Sequence, residues 1–155
     1  MKHEDFMHEA IHAAVDNVHN GGGPFGAVIV KDGEIIARGV NRVTVNNDPT
    51  AHAEVMAIRA ACQKLQTFDL SGMVIYSSCE PCPMCLGAIY WSHIDKLYYA
   101  GSQKDAAQAG FDDKFIYEEF DRPIASRRLH TEQLLPEEGK APFAEWDKNA
   151  DKVEY

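Results

Sequence analysis

Two short motifs decide the fold and the chemistry of this chain: His52-Ala53-Glu54 and Pro81-Cys82-Pro83-Met84-Cys85. Imidazole and thiolate are ligands that zinc prefers in proteins, so His52, Cys82 and Cys85 form a candidate metal site. A zinc ion with three protein ligands keeps its fourth position open for water, which distinguishes a catalytic site from a structural one. The sequence therefore predicts one catalytic Zn²⁺ per subunit.

The segments around these motifs predict two helix N-termini that face one ion. Turn and capping residues at 47–50 precede an alanine-rich stretch at 51–65, so the first motif falls in a first helical turn. The two cysteines of the second motif are three residues apart and share one helix face, in a helix that Pro81 is suited to begin. Free N–H groups at such an end favour thiolate over thiol.

Glu54 is the candidate general base and acid. Two thiolates and a neutral imidazole cancel the charge of the ion, so it is a weaker Lewis acid than one held by three histidines. A positioned carboxylate contributes about 10²–10⁴ in rate when it takes a proton from the attacking water and returns it to the leaving group. Glu54 is therefore predicted to act first as a base and then as an acid.

A closed, structural metal site is an alternative. Cys79-Glu80-Pro81-Cys82 is a second C-x-x-C, so Cys79 offers a fourth ligand for the same ion. In such a structural site Glu54 would have no role. Cys79 is also predicted to end a strand, where the pleat and not the metal sets the direction of its thiol.

A second alternative lies near the start of the chain, where residues 8–12 spell the zinc-protease pattern H-E-x-x-H. The apolar stripe of this predicted helix leaves His8 and His12 on the side that faces water. Val15 stands where the longer protease pattern requires glycine. The pattern is therefore interpreted as a coincidence that permits adventitious metal binding.

Length and composition predict a single domain over residues 1–155. The chain has 155 residues, of which 45% are hydrophobic, and this is enough for a real core. It has no apolar run long enough for a bilayer, and its charged start lacks a signal peptide, which predicts a cytoplasmic protein. Three of the four cysteines lie within seven residues, a clustering typical of metal binding in a reducing compartment.

The order of predicted elements indicates an α/β fold. The chain reads as a helix at 4–19, strands at 25–31 and 34–40, the helix at 51–65, and strands at 73–78 and 95–100 that flank the cysteine helix. Asp32-Gly33 predicts a tight hairpin between the first two strands. A strand, helix and strand in succession imply a parallel pair, so the sheet is mixed and lies between helices.

The pattern weakens beyond residue 101. A short helix at 105–110 and an extended segment at 127–135 are predicted there. Residues 136–155 are predicted as a linker and C-terminal segment that contains an amphipathic helix at 142–150. The aromatic rings of this segment can be buried only by docking, either on its own domain or on a neighbouring subunit.

Several segments together resemble one known family. They are Pro-Phe-Gly-Ala-Val-Ile-Val at 24–30, Asn41, residues 48–54 and residues 79–88, and they are similar to the cytidine deaminase-like superfamily. H-x-E with P-C-x-x-C is the signature of zinc nucleobase deaminases. Within the superfamily, residues 83–84, 87–91 and 109–113 and the terminal tyrosine are most similar to small bacterial guanine deaminases.

The resemblance implies a three-layer α/β/α fold with a mixed central sheet. It also implies zinc-dependent hydrolysis of guanine to xanthine and ammonia, in which hydroxide attacks the ring carbon and Glu54 shuttles the proton. Phe25, Ala53 and Trp91 match positions that line the purine slot beside the zinc. Asn41 matches a group that hydrogen-bonds the ring.

Two further features follow from the same resemblance. Asp113, or alternatively Asp112, matches a carboxylate that holds the departing amino group and helps to protonate it. Family members exchange the C-terminal segment within a homodimer, which brings the residue matching Tyr155 over the partner's active site.

The charge balance favours a small neutral substrate. The chain has 15 Lys and Arg residues against 24 Asp and Glu residues, a net charge of −9, which repels nucleic acid on average. Other rings are the alternatives: guanosine, cytosine, or adenosine in tRNA. A non-catalytic zinc-stapled binding module is the alternative of another class, and it predicts that Glu54→Gln changes nothing.

Overall fold

The structure is a computed structural model that describes residues 2–155, and these residues form two compact units. The first unit ends at Lys114, and the second comprises residues 115–155. The single domain predicted over residues 1–155, with its C-terminal segment from residue 136, stays a prediction. None of the helices in the described part of the chain is both long enough and apolar enough to cross a bilayer.

The first unit alternates helices and strands. Its helices are α1 (His3–His19), α2 (Val43–Asn46), α3 (Ala53–Leu65), α4 (Pro83–Trp91) and α5 (Gln103–Gln108). Its strands are β1 (Gly26–Lys31), β2 (Glu34–Val40), β3 (Val74–Cys79) and β4 (Lys96–Gly101). The predicted strands and helices of residues 2–101 are all present, and α2 is an additional short helix.

The four strands form one mixed sheet in the order β2-β1-β3-β4. β1 is antiparallel to both β2 and β3, whereas β3 and β4, which α4 connects, are parallel. Asp32 and Gly33 have φ values of 50° and 79°, the positive angles that the predicted hairpin turn requires. The parallel pair places the carboxyl end of β3 next to the start of the cysteine helix.

β1 is buried on both faces, which makes the fold a three-layer α/β/α arrangement. Ala27 and Ile29 belong to a core cluster that also contains residues of α3 and α4. Val28 and Val30 alternate with them and pack in a second cluster with residues of α1. The predicted architecture of helices on both faces of a mixed sheet is confirmed.

Gly39 lets α3 lie directly against β2. A Cβ atom at this position would collide with the backbone of α3 at Ala53 and Ala57. Only glycine therefore permits this close approach, which fixes the start of α3 relative to the sheet.

The second unit consists of short helices and irregular segments. α6 (Lys114–Phe120) begins at the boundary, and 3₁₀ turns at Ile124–Ser126 and Glu138–Lys140 precede α7 (Ala141–Lys148). The predicted amphipathic helix is confirmed as α7. The segment 127–135, predicted as extended, forms no strand, because the second unit offers no strand with which it could form a ladder.

Candidate active site

The first motif forms the start of α3. His52 is the N-cap residue with an extended backbone (φ −73°, ψ 156°), and Glu54 lies in the first turn. In a continuous helix two such residues would point about 200° apart. The extended conformation of His52 removes that restriction, and the charges of the two side chains influence each other's pKa. The imidazole makes no capping hydrogen bond, so it is available to a metal.

The second motif forms the start of α4. Cys82 is the N-cap residue, and its extended backbone (φ −68°, ψ 169°) is followed by Pro83 at the first helical position. The prediction that Pro81 begins this helix is therefore wrong. Pro83 takes the position because its locked φ and missing N–H suit the first helical residue. Cys85 lies in the first turn and is fully buried.

The three predicted metal ligands converge. His52 Nδ1 lies 3.4 Å from Cys82 Sγ and 3.5 Å from Cys85 Sγ. The ligand atoms of all three residues lie within 4.8 Å of one another. A tetrahedral zinc with bonds of about 2.3 Å to sulfur and about 2.0–2.1 Å to nitrogen separates these atoms by about 3.5 Å. The donor set and its spacing therefore fit zinc.

The protonation of the two sulfurs also fits a cation site. A hydrogen bond from Cys85 lowers the pKa of Cys82 to about 4, and His52 adds to this effect. The same bond, together with burial, raises the pKa of Cys85 far above its usual range. The hydrogen bond with Cys82 in turn raises the pKa of His52. The side chains of Cys82, Cys85 and His52 are thus linked by hydrogen bonds. Binding of a dication would release the protons of these hydrogen bonds, because metal ligands must be deprotonated.

Glu54 is a buried carboxyl group beside this cluster. Glu54 is 5% exposed, and burial raises the pKa of its carboxyl group. A hydrogen bond with Cys85 lowers the pKa in opposition. Buried carboxyl groups with a raised pKa next to a metal cluster are typical of catalytic sites rather than of structural ones.

Cys79 stands apart from the metal cluster. It ends β3, and its thiol lies 3.7 Å from the carbonyl oxygen of Ser102. Burial raises the pKa of this thiol to about 11, so it is held as a neutral group. Within residues 2–155, the group of possible metal ligands at this site contains His52, Cys82 and Cys85 and not Cys79. This geometry favours the open site over the closed alternative.

The two candidate aspartates have different surroundings. Asp113 Oδ1 accepts a hydrogen bond from Gln103 Nε2 at 3.1 Å. Its charge contributes to raising the pKa of both His52 and Cys79, which places it near the cluster. Asp112 Oδ1 instead accepts from the backbone N–H of Lys114 at 3.0 Å, as a local turn contact. The geometry favours Asp113.

Two predicted substrate contacts, Ala53 and Asn41, lie near the start of α3. Ala53 is its first residue and is fully buried. Asn41 is 8% exposed, and its Oδ1 accepts from the N–H of Val43, the first residue of α2. The N–H of Arg42 donates to the carbonyl of Ala51 at 2.9 Å, which ties this loop to the residue before His52.

Phe25, which immediately precedes β1, packs partly against the core. Its ring meets the ring of Phe111 edge to face, with centroids 5.0 Å apart.

Trp91 and Tyr155 are the two predicted substrate contacts whose side chains are largely exposed. Trp91 ends α4, six residues and therefore about 9 Å of helix rise beyond Cys85, and it is 66% exposed. Tyr155 belongs to the second unit and is 73% exposed. Their roles in binding stay predictions.

Sequence reasoning missed Gln103 and Phe111, the partners of Asp113 and Phe25. Ser102 and Asp105 form a capping box, in which Ser102 Oγ accepts from the N–H of Asp105. That pattern was visible in the sequence and would have placed Gln103 at the first position of α5, directly after β4.

Residues 1–101 match the family described as the cytidine and deoxycytidylate deaminase zinc-binding region. The chain is 54% identical to the guanine deaminase of Bacillus subtilis over 100% of both chains. An X-ray structure of guanine deaminase from Bacillus subtilis matches with a TM-score of 0.97, covering 100% of this chain and 99% of that one.

More distant relatives include a tRNA-specific adenosine deaminase of Aquifex aeolicus, 36% identical over 96% of this chain and 95% of its own length. A guanine deaminase structure from Nitrosomonas europaea matches with a TM-score of 0.70 and 35% identity, covering 72% of this chain and 65% of that one. These matches confirm the resemblance and the predicted fold. The chain belongs to the cytidine and deoxycytidylate deaminase family of zinc-binding domains.

Proposed function

We propose that this protein is a guanine deaminase, which hydrolyses guanine to xanthine and ammonia. The observation that carries the proposal is the match to the Bacillus subtilis guanine deaminase, at 54% identity through 100% of both chains. The chemistry of the site agrees with it, because a three-ligand metal cluster lies beside the buried carboxyl group of Glu54.

His52, Cys82 and Cys85 hold one zinc ion per subunit in this proposal. When bound, zinc supplies a water whose pKa is low enough to provide a nucleophile near neutral pH. The protein contributes the rest of the chemistry by orienting the purine and by moving protons.

Glu54 moves the protons in this proposal. Its carboxylate accepts a proton from the attacking water and delivers it to the departing nitrogen. Burial raises the pKa of Glu54, so this carboxyl group holds a proton at a higher pH than an ordinary glutamate does. A general acid requires a pKa that is shifted in this direction. In balance, water adds to C2 of guanine, the bond from C2 to the amino nitrogen breaks, and ammonia leaves with a proton from the water.

The substrate is held by Phe25, Asn41 and Ala53, and Asp113 holds the departing amino group. The role of Asn41 is supported by its burial and by the hydrogen bond from the next residue, Arg42, to the carbonyl of Ala51, which precedes His52. Asp113 is supported by its influence on the pKa of His52. A neutral purine also suits the net charge of −9 better than a nucleic acid does.

We further propose a homodimer in which residues 136–155 of each subunit cross to the partner. Support comes from large apolar side chains that stay exposed in both units. Trp91 and Tyr90 are 66% and 74% exposed, and Phe143 and Tyr155 are 71% and 73% exposed. Exposed aromatic surface of this kind marks interaction sites. Exchange of the segment would bring Tyr155 over the partner's purine slot.

A cytoplasmic location completes the proposal. All four cysteines are free thiols, which suits a reducing compartment.

The proposal is tested by incubating purified, zinc-loaded protein with guanine, guanosine, cytosine, adenosine and tRNA, and separating the products by liquid chromatography. We expect xanthine from guanine and no inosine in tRNA. Inosine in tRNA without turnover of guanine would establish the second candidate, tRNA adenosine deamination, which the Aquifex aeolicus relative favours.

Glu54→Gln tests whether the domain is an enzyme at all. We expect turnover of guanine to fall by about 10²–10⁴ while zinc content stays unchanged. Glu34→Gln, at an exposed position in β2, is the matched control and should keep wild-type turnover. Equal activity of both variants would support the non-catalytic zinc module instead.

A further inference from the structure

Asn17 is a buried polar residue to which the proposed chemistry assigns no task. It lies near the end of α1 and is 3% exposed. Its Nδ2 donates one hydrogen bond to the carbonyl of Gly23 at 2.8 Å and another to the carbonyl of Asn41 at 2.7 Å. Both hydrogens of the amide nitrogen are thus used, and both partners belong to the backbone of other segments.

These two carbonyl groups connect Asn17 to the backbone of two proposed substrate contacts, Phe25 and Asn41. The carbonyl of Gly23 also accepts from the N–H of Phe25 at 2.9 Å. The N–H of Asn41 donates to the carbonyl of Phe25 at 3.2 Å. The amide of Asn17 therefore closes a small network that fixes the backbone of Phe25 and of Asn41 relative to each other.

The loop that contains Gly22 packs tightly against the side-chain amide of Asn17. The carbonyl of Asn17 accepts from the N–H of Gly22 at 2.9 Å. A Cβ atom on Gly22 would collide with Asn17 Nδ2 and would lie 2.6 Å from the carbonyl oxygen of Asn41. The glycine is required because the loop passes directly over the amide, so the side chain of Asn17 is held in one position.

We propose that Asn17 is a positioning residue for substrate binding, which acts through Asn41 and Phe25 and does not itself touch the purine. The inference rests on the proposed function, in which those two residues contact the substrate. Without these two hydrogen bonds the backbone of Asn41 and Phe25 is no longer fixed, so the contacts that these residues make to the purine weaken. Asn17 is therefore expected to control how tightly the purine is bound.

The first experiment compares the steady-state kinetics of Asn17→Ala with those of wild-type protein on guanine. We expect KM to rise about tenfold while kcat stays within about threefold, because Asn41 contacts the ring equally in the ground state and the transition state. Zinc content should stay at the wild-type value. Ile75→Val, a mild change in the buried part of β3, controls for a loss of stability and should leave KM unchanged.

A double-mutant cycle separates positioning from a general structural role. On an Asn41→Ala background the added Asn17→Ala should raise KM by less than about twofold, because the group that it positions is already absent. Full additivity of the two effects, or a wild-type KM in Asn17→Ala, would overturn the proposal.

Asn17→Ser keeps the inference testable if the alanine variant does not fold. The serine hydroxyl is one atom shorter than the asparagine amide and can reach a carbonyl only through a bridging water, so we expect a rise in KM that is somewhat smaller than the tenfold of full loss. A wild-type KM in Asn17→Ser overturns the proposal. Failure of both variants to fold would show that Asn17 serves folding alone, and it overturns the proposal as well.

The outcome is distinguishable from failure of the proposed function. Wild-type protein that deaminates another base and not guanine would refute guanine as the substrate. The same KM comparison on that other base would still decide the role of Asn17.

Discussion

The two units of the chain differ in what they bury. The first unit has a core on both faces of its sheet, in which Ile29 and Ile75 are fully buried. In the second unit none of residues 115–155 is buried, and Leu134 and Phe143 are 81% and 71% exposed. The first unit can therefore hold catalytic side chains rigidly, whereas the apolar side chains of the second unit are available for an interface.

This difference locates the catalytic chemistry and the proposed assembly in separate parts of the chain. The metal cluster, Glu54 and Asp113 all belong to the first unit, and each lies at the end of a helix or strand or in the adjoining loop. Only Tyr155, among the predicted site residues, belongs to the second unit. Substitutions in the first unit should therefore affect zinc content, turnover and stability, whereas removal of Tyr155 from the second unit should affect turnover alone.

The largest effect is expected from Cys85→Ser in the first unit. Two remaining ligands and a poorly ionised hydroxyl should not retain zinc, so turnover should fall by more than the roughly 10²–10⁴ expected for Glu54→Gln. Zinc content is measured by inductively coupled plasma mass spectrometry. Cys79→Ser is the control and should keep both zinc and turnover. Loss of zinc from the Cys79 variant would instead support the closed structural site, in which Cys79 is the fourth ligand.

Removal of Tyr155 should produce the next largest effect. If the terminal residue covers the partner's slot, its deletion should lower turnover by about 10- to 100-fold through poorer positioning of the purine. Zinc content and melting temperature should stay unchanged. Glu154→Gln is the neighbouring control. Wild-type turnover by the truncated protein would show that the second unit takes no part in catalysis.

A comparison of Ile75→Ala with Phe143→Ala tests the difference in burial directly. The first change opens a cavity in a filled core and should lower the free energy of unfolding by about 2–5 kcal/mol. The second removes an exposed ring and should cost about 0.5 kcal/mol or less when unfolding is measured at high dilution. Equal costs would mean that the second unit has a core of its own.

The smallest effects are expected at two glycines, and they should have opposite signs. Gly33 has a φ of 79°, so Gly33→Ala should destabilise the hairpin turn by about 1 kcal/mol or more. Gly139 has no positive φ and no atom close to the added Cβ, so Gly139→Ala should be neutral or stabilise by up to about 1 kcal/mol. Thermal unfolding measures both, and the same sign for both would contradict this explanation.

Short sequence patterns were enough to predict most of the helices and strands and the candidate metal ligands. Asp32-Gly33 predicted the hairpin because its turn requires positive φ, and the structure has that turn. His52 and the cysteines could be predicted as ligands because their chemistry and spacing are properties of short segments. The error at Pro81 was local as well, since two prolines flank Cys82 and only one of them occupies the first helical position.

Contacts between distant segments were not predictable in this way. Asn17 is 24 residues from Asn41 in the chain, and nothing in its own segment shows that its amide is buried against that backbone. The resemblance favoured Asp113 over Asp112, and the contact with Gln103 and the proximity of His52 support that choice. Trp91 was placed at the slot by resemblance; it ends α4, six residues after Cys85, and its role in binding stays a prediction.

The predicted metal ligands, the predicted general base and the order of helices and strands thus follow from residue types and their spacing, because short-range sterics and ligand chemistry act within a few residues. Which aspartate lies near the cluster, which amide holds the backbone at Gly23 and Asn41, and where the first unit ends were decided by the folded chain. These features depend on burial and on hydrogen bonds between segments that are far apart in the sequence, and such contacts exist only once the sheet and its helices have packed.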